Sequence, residues 1–219
     1  MDRYYHKSGV PKNILRRGAS LDHSRLFGMI ELQKGQDRLE ELESRKLEGF
    51  TADFEGLRAV HKHIFQDIFE WAGLTRAEQV TIAGETFKPK LLETWTRRDS
   101  GGNIVAYFQG SKDLMREAPL QINRHAEKFD AAKESGLLTF GVFAELAADM
   151  VEDINYQHPF ADGNGRAMRS FVVQLGRLYG FRVDFSDVTK KGWISACISS
   201  AEGNVEPMIS LLEDITRNF

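Results

Sequence analysis

His158–Arg169 reads HPFADGNGRAMR, and the run FVVQLGRLYG that follows it has the spacing of a helix. Twelve residues thus hold an imidazole, a carboxylate, a Gly-Asn-Gly turn and two arginines. The glycines at 163 and 165 permit tight backbone geometry, so successive N–H groups can point into one concavity at a helix start, where the helix dipole also favours an anion. Arg166 and Arg169 are three apart and fall on one face of that helix, and guanidinium forks match phosphate oxygens in pairs. Asp162 precedes the turn, near the point where a Mg²⁺ bridging two phosphates needs a carboxylate. His158 titrates near neutrality and can take a proton from an incoming hydroxyl. The stretch reads as a phosphate cradle with its own base.

The rest of the chain bounds that reading. At 219 residues, 42% hydrophobic and 28% charged, it is long enough for one sizeable core, and a single domain over 23–219 is expected behind an irregular arm at 1–22. A net charge of -3 gives no basic footprint for nucleic-acid binding. The single cysteine, Cys197, excludes an internal disulfide; within the apolar pattern WISACI it reads as a buried, inert thiol suited to a reducing cytosol. The N-terminal MDRYYHKSGV lacks a signal-peptide apolar core, and no run approaches the roughly eighteen apolar residues of a membrane span. A cytoplasmic protein with no membrane partner is expected.

Apolar periodicity predicts mainly helices. One surface helix or two run from about Ser24 to Glu48, with Gly35 a candidate break and Gly49 the end. A core helix runs from Asp53, its N-cap, to Phe69. His61 and His63 lie on different sides of it, which argues against a chelating pair; satisfied or exposed histidines are the expectation. EQVTIAGETFKP alternates around Ala83 and Gly84 and predicts a β-hairpin over about 79–87. Leu91, Leu92 and Trp95 predict a helix, SGGN at 100–103 a loop, and Ile104–Phe129 a further helix with Pro119 as a boundary. Thr139 caps a helix whose face of Phe143, Leu146, Ala147, Met150, Val151 and Ile154 delivers His158 to the site. Past the motif, a helix ends near Tyr179 with Gly180 as its cap, a short FRVDF segment follows, and two more helices span Trp193–Ala201 and Glu206 to about Arg217.

The motif resembles that of the Fic family, HxFx(D/E)GNGRxxR, with every fixed position present in His158, Phe160, Asp162, Gly163, Asn164, Gly165, Arg166 and Arg169. The resemblance runs from roughly Leu39 to the end and implies an all-α, mainly helical single domain of the Fic fold, with the hairpin as a small flap over the active site. It implies that His158 deprotonates a target hydroxyl, Asp162 holds Mg²⁺, and Asn164 with the glycine turn and the two arginines binds the phosphates of ATP as co-substrate. Phe160 is then a core anchor, and Thr81, Ile82, Ala83 and Gly84 are the flap positions that register a target segment by strand-like pairing. The implied activity is transfer of AMP from Mg·ATP to a Ser, Thr or Tyr hydroxyl of a target protein, with release of pyrophosphate. Gly165 favours this over a kinase-like branch that replaces the second glycine. Alternatives are a hydrolase that removes AMP from modified proteins and a nucleotide-binding regulatory module.

Many such proteins are restrained by a Glu within (S/T)xxxE(G/N) that pairs with the second motif arginine, here Arg169. Two strings fit, Ser44–Gly49 and Thr51–Gly56, nearly adjoining and within the early helices, and both are read as coincidence. A separate small antitoxin-like protein supplying the Glu to Arg169 is the expected inhibitor. The setting is a bacterial toxin or an effector delivered to a host cytosol.

Overall fold

Two helices meet at the motif, and the other described helices pack against one or other of them or their neighbours. In the computed structural model, which describes residues 24–78, 80–82, 85–87, 95–98, 104–108 and 112–219, α4 (Phe140–Gln157) ends at His158 and α5 (Asn164–Tyr179) begins six residues on. Thr139 starts α4 as expected, its side chain accepting from the Val142 N–H. Gly180, in the left-handed region at φ 91, ends α5 by donating its N–H to the Gly176 carbonyl. Ala167, Phe171, Val172 and Leu175 of α5 are fully buried, and its ring of neighbours includes α1 (Ser24–Ser44), α2 (Phe54–Phe65), α4 and the strand β5 (Phe181–Val183). A helix enclosed on so many sides has its N-terminus fixed by packing, which makes it a rigid mount for the motif.

α2 lies against α5 with Leu57, Val60, Ile64 and Phe65 fully buried, and Asp53 caps it by accepting from the Gly56 N–H. It ends at Phe65, short of the expected Phe69, and the chain goes on as a turn in which the Ile68 and Phe69 N–H groups share the Phe65 carbonyl. α1 is one continuous helix, and Gly35 does not interrupt it: a β-carbon there would meet Arg166 Nη1 and Ile68 only at an ordinary 3.7 Å, so helix packing overrides glycine's weak propensity.

The stretch between the hairpin and α4 departs from the sequence reading. Trp95–Arg98 is strand β3, not helix, and pairs antiparallel with β4 (Ile104–Phe108), which was expected to be helical. IVAYF is rich in β-branched and aromatic residues, and a short apolar run of that kind has no periodicity to separate strand from helix. Helix α3 (Lys112–Glu134) then runs through Pro119. Proline removes one intrahelical bond there, and the helix continues because Ala118, Ile122 and Phe129 are fully buried on a face packed against α4. The expected hairpin is present as β1 (Val80–Ile82) paired with β2 (Glu85–Phe87); its tip residues Ala83 and Gly84, like the arm at 1–22, lie outside the described residues.

After β5 come α6 (Lys190–Ala201) and α7 (Glu206–Ile215). The final helix stops at Ile215 rather than Arg217 because β6 (Thr216–Asn218) pairs with β5, and the buried Thr216 hydroxyl donates to the Leu212 carbonyl at 2.6 Å. Cys197 is buried, as expected, and burial pushes its thiol up to about 12.

Replacing Thr139 by Ala removes the side-chain acceptor that caps the start of α4. It should lower stability by about 1 kcal/mol in urea denaturation with unchanged helical circular dichroism.

Candidate active site

The bend between α4 and α5 is shaped by two residues with positive φ. His158 closes α4 in the left-handed region (φ 44, ψ 59), its N–H still bonded to the Ile154 carbonyl at 3.0 Å, and Gly163 (φ 80) opens α5. Between them Phe160 is fully buried and anchors the bend in the core, stacked on the His61 ring at 3.9 Å. Gly163 is required twice over: its conformation disfavours a side chain, and a β-carbon would come within 2.3 Å of the Phe65 ring. Gly165 differs. Its φ is not positive, and a β-carbon there would meet nothing within 4 Å, so it leaves open space at the mouth of the bend rather than easing the backbone.

Asn164 has a structural duty at the bend. Its amide is buried, accepting from the Phe160 N–H at 2.9 Å and donating to the Phe160 carbonyl at 2.8 Å, so the side chain staples the bend and only the backbone N–H of this residue is left for an anion. What the start of α5 offers an anion is backbone. The first helical bond runs from Ala167 N–H to the Gly163 carbonyl, and the N–H groups of the preceding residues have no intrahelical acceptor.

The two arginines stand above this helix start. Arg166 lies over the Phe65 ring at 4.5 Å and 3.9 Å from Asp162 Oδ1. Burial lowers the Arg166 pKa from its ordinary value, and the Asp162 carboxylate partly opposes this. Burial lowers the Arg169 pKa too, reinforced by the like charge of Arg166 and opposed by Cys197 and Glu43. Among the described residues no carboxylate lies within ion-pair distance of Arg169. Two partly desolvated cations that repel each other beside N–H groups with no intrahelical acceptor form a site that an oligophosphate would relieve. Glu48 is exposed, and Glu55 is exposed and paired with Arg58 at 3.1 Å, so neither candidate inhibitory string reaches Arg169.

Asp162 is half exposed; its Oδ1 accepts from the Gly163 N–H at 2.6 Å, and its second oxygen has no protein donor among the described residues. No cluster of three or more His, Cys, Asp or Glu able to hold a metal occurs among the described residues. A single half-solvated carboxylate beside a phosphate site suits Mg²⁺, which keeps most of its coordination in water and phosphate oxygens. Thr81 and Ile82 lie on β1, opposite Thr86 and Glu85.

Sequence reasoning missed two residues that shape the site. Fully buried His61 of α2 accepts the Gly73 N–H at Nδ1 (2.9 Å), which places its proton on Nε2, 3.0 Å from the Asp162 carbonyl. Burial holds its pKa down at about 3, so it is neutral. The signal was its place between Val60 and Ile64 on the apolar stripe of α2, where a histidine has to find partners. His63, on another side, faces Glu41 of α1. Arg76 donates from Nε to the His158 carbonyl (2.9 Å), from Nη2 to that of Ala161 (3.4 Å) and from its backbone N–H to that of Pro159 (2.8 Å). Nothing in the order of residues marks this arginine.

One bend of this helical protein thus brings together N–H groups with no intrahelical acceptor, two partly desolvated arginines, a half-solvated carboxylate and a histidine, an arrangement able to receive a phosphate chain. Residues 51–175, more than half of the chain, match the model of the Fic/DOC family, and the chain belongs to that family. It is 30% identical over 190 residues to "Protein adenylyltransferase VbhT" of Bartonella schoenbuchensis, a match covering 82% of this chain but 34% of that relative. It is 32% identical to "Probable protein adenylyltransferase y4lH" of Sinorhizobium fredii, covering 71% of this chain and 69% of the relative. The chain therefore spans about a third of the first relative's length and about two-thirds of the second's. Its fold is also that of the BepC effector protein of Bartonella tribocorum with bound AMPPNP, at TM-score 0.77 and 28% identity over 99% of this chain and 97% of that one.

The two motif glycines should part in mutagenesis. Gly163→Ala should cost about 2–4 kcal/mol through left-handed strain and the Phe65 clash. Gly165→Ala should stay within about 0.5 kcal/mol of the parent in urea denaturation, yet weaken triphosphate binding in calorimetry. Acid sensitivity follows from His61, whose pKa is about 3 when folded and about 6.5 in an unfolded chain. The unfolded state binds the extra proton between those values, so this contribution to stability is full above pH 6.5 and is lost as pH falls toward 3. Thermal unfolding from pH 7 to 4 should show a falling midpoint, with a shallower fall in His61→Gln.

Proposed function

We propose that the protein is an adenylyltransferase that moves AMP from ATP to a hydroxyl of a target protein. The observation that carries this is the start of α5, where N–H groups without an intrahelical acceptor, the open space at Gly165 and an Arg169 with no carboxylate partner among the described residues lie one short bend from His158. Relatives named protein adenylyltransferase and a fold shared with an AMPPNP-bound effector support it.

In this reading His158 accepts the proton of a Ser, Thr or Tyr hydroxyl as its oxygen attacks the α-phosphorus. The bond from that phosphorus to the bridging oxygen breaks, and pyrophosphate departs with the electron pair. Arg166, Arg169 and the N–H groups of α5 take up the charge growing on the departing phosphates, and catalysis is mostly positioning and electrostatics. Mg²⁺, when bound, would neutralise phosphate charge, and Asp162 is the residue that would hold it. Thr81 and Ile82, with Ala83 and Gly84, register the target segment through backbone pairing at the hairpin.

The regulator in this proposal is a small separate protein whose Glu pairs with Arg169, since neither Glu48 nor Glu55 meets that arginine. The working place is an ATP-containing cytosol, bacterial or that of a host cell. Among the described residues no helix is long and apolar enough to cross a membrane.

His158→Ala should reduce AMP transfer at least 1,000-fold, on the order expected from losing the base and its proton acceptance, while ATP affinity changes less than about threefold. With ATP labelled at the α- or the γ-phosphate, only the α-label should remain on the target. A retained γ-label would make the chain a kinase, and full transfer by the His158 variant would remove the assigned base.

A further inference from the structure

Each backbone carbonyl from residue 158 to residue 162 is taken by a donor inside the protein. Arg76 serves those of His158, Pro159 and Ala161; Asn164 serves that of Phe160; His61 serves that of Asp162. Three of these five donors come from one residue, and four come from two residues outside the motif. A bend so tied keeps its electronegative oxygens engaged and presents N–H groups and cations to the mouth, which is the polarity that a phosphate chain requires.

The tie to Asp162 has a further consequence. Gly163 follows it in the left-handed region, and the Asp162 side chain accepts the Gly163 N–H, so the direction of that carboxylate is set by the peptide whose oxygen His61 holds. His61 is itself fixed, because the Gly73 N–H occupies its other nitrogen and Phe160 stacks on its face at 3.9 Å. Gly73 and the segment after it are in turn held to α2 by Arg58, which donates to the Gly73 carbonyl at 3.0 Å and pairs with Glu78 at 2.9 Å. Volume alone does not demand a histidine here: Phe65 and Phe160 flank the site, and an apolar ring would fill it.

We infer that His61 and Arg76 are positioning residues for the reaction, His61 orienting the Asp162 carboxylate through the peptide at 162–163 and Arg76 holding His158 at the end of α4. This rests on the adenylyltransferase reading for its chemistry, and on the bonds above for its geometry. Groups that orient a ligand of a metal from behind typically carry 10–100-fold of the metal affinity or the activity.

The test uses the full chain and two readouts. ATP is titrated calorimetrically with and without Mg²⁺, and transfer is followed as kcat and KM for ATP. His61→Phe keeps an aromatic ring but loses the donor. It should bind metal-free ATP within about threefold of the parent while losing most of the Mg²⁺-dependent gain in affinity, on the order of tenfold or more. His61→Gln, which keeps an N–H donor at the same reach, should recover part of that gain. Arg76→Lys keeps the charge but not the fork, and should lower kcat at least tenfold with little change in KM. Folded His61→Phe with undiminished Mg²⁺ gain, His61→Gln no better than His61→Phe, or Arg76→Lys with parental kcat would each overturn the assignment. The calorimetric arm needs no turnover, so failure of the parent to transfer AMP would count against the enzymatic reading alone.

Discussion

Everything at the bend depends on where five carbonyl oxygens go. A connection between two buried helices cannot leave its polar groups unbonded, since an orphaned buried carbonyl or N–H costs on the order of 1–3 kcal/mol. Here the oxygens are satisfied from within by Arg76, His61 and Asn164, and the N–H groups at the start of α5 are left over. Those leftover donors are what the proposed anion site is built on. The same accounting that lets the bend be buried thus gives it a sign.

Charge then follows packing. Arg166 and Arg169 would be ordinary surface cations on a free helix, but α5 is enclosed by neighbouring helices, and burial lowers both pKa values. Arg166 is partly accommodated by the face of Phe65 and the nearby Asp162, whereas no carboxylate of the described residues pairs with Arg169. Phe65 serves three ends: it fills the core, carries Arg166 on its face and occupies the space that restricts position 163 to glycine. A site assembled from groups with several duties tolerates little change in any of them.

Much of this was legible along the chain, and the parts that were not share a cause. Helices with a strong apolar stripe or a capping residue, such as those begun by Asp53 and Thr139 or ended by Gly180, were legible because cap and periodicity are local properties. The strands at 95–98 and 104–108 were not, because a four- or five-residue apolar run is settled by its partner across the ladder. Pro119 misled for the opposite reason: its local penalty is real, but the buried face of α3 outweighs it. The structural duty of the Asn164 side chain was not legible, since a polar side chain in a motif looks like a ligand contact until its neighbours are seen to use both ends of its amide.

By itself the order of residues determined the helical class and the family, because eight motif positions with their flanking helix signals lie within a few turns of one another and need no distant partner to be recognised. Only tertiary structure decided which side of the bend faces the ligand. That depended on His61 and Arg76, which lie 101 and 82 positions from their partners Asp162 and His158. Hydrogen bonds of such reach exist only after α2 has packed on α5, and no local pattern encodes them.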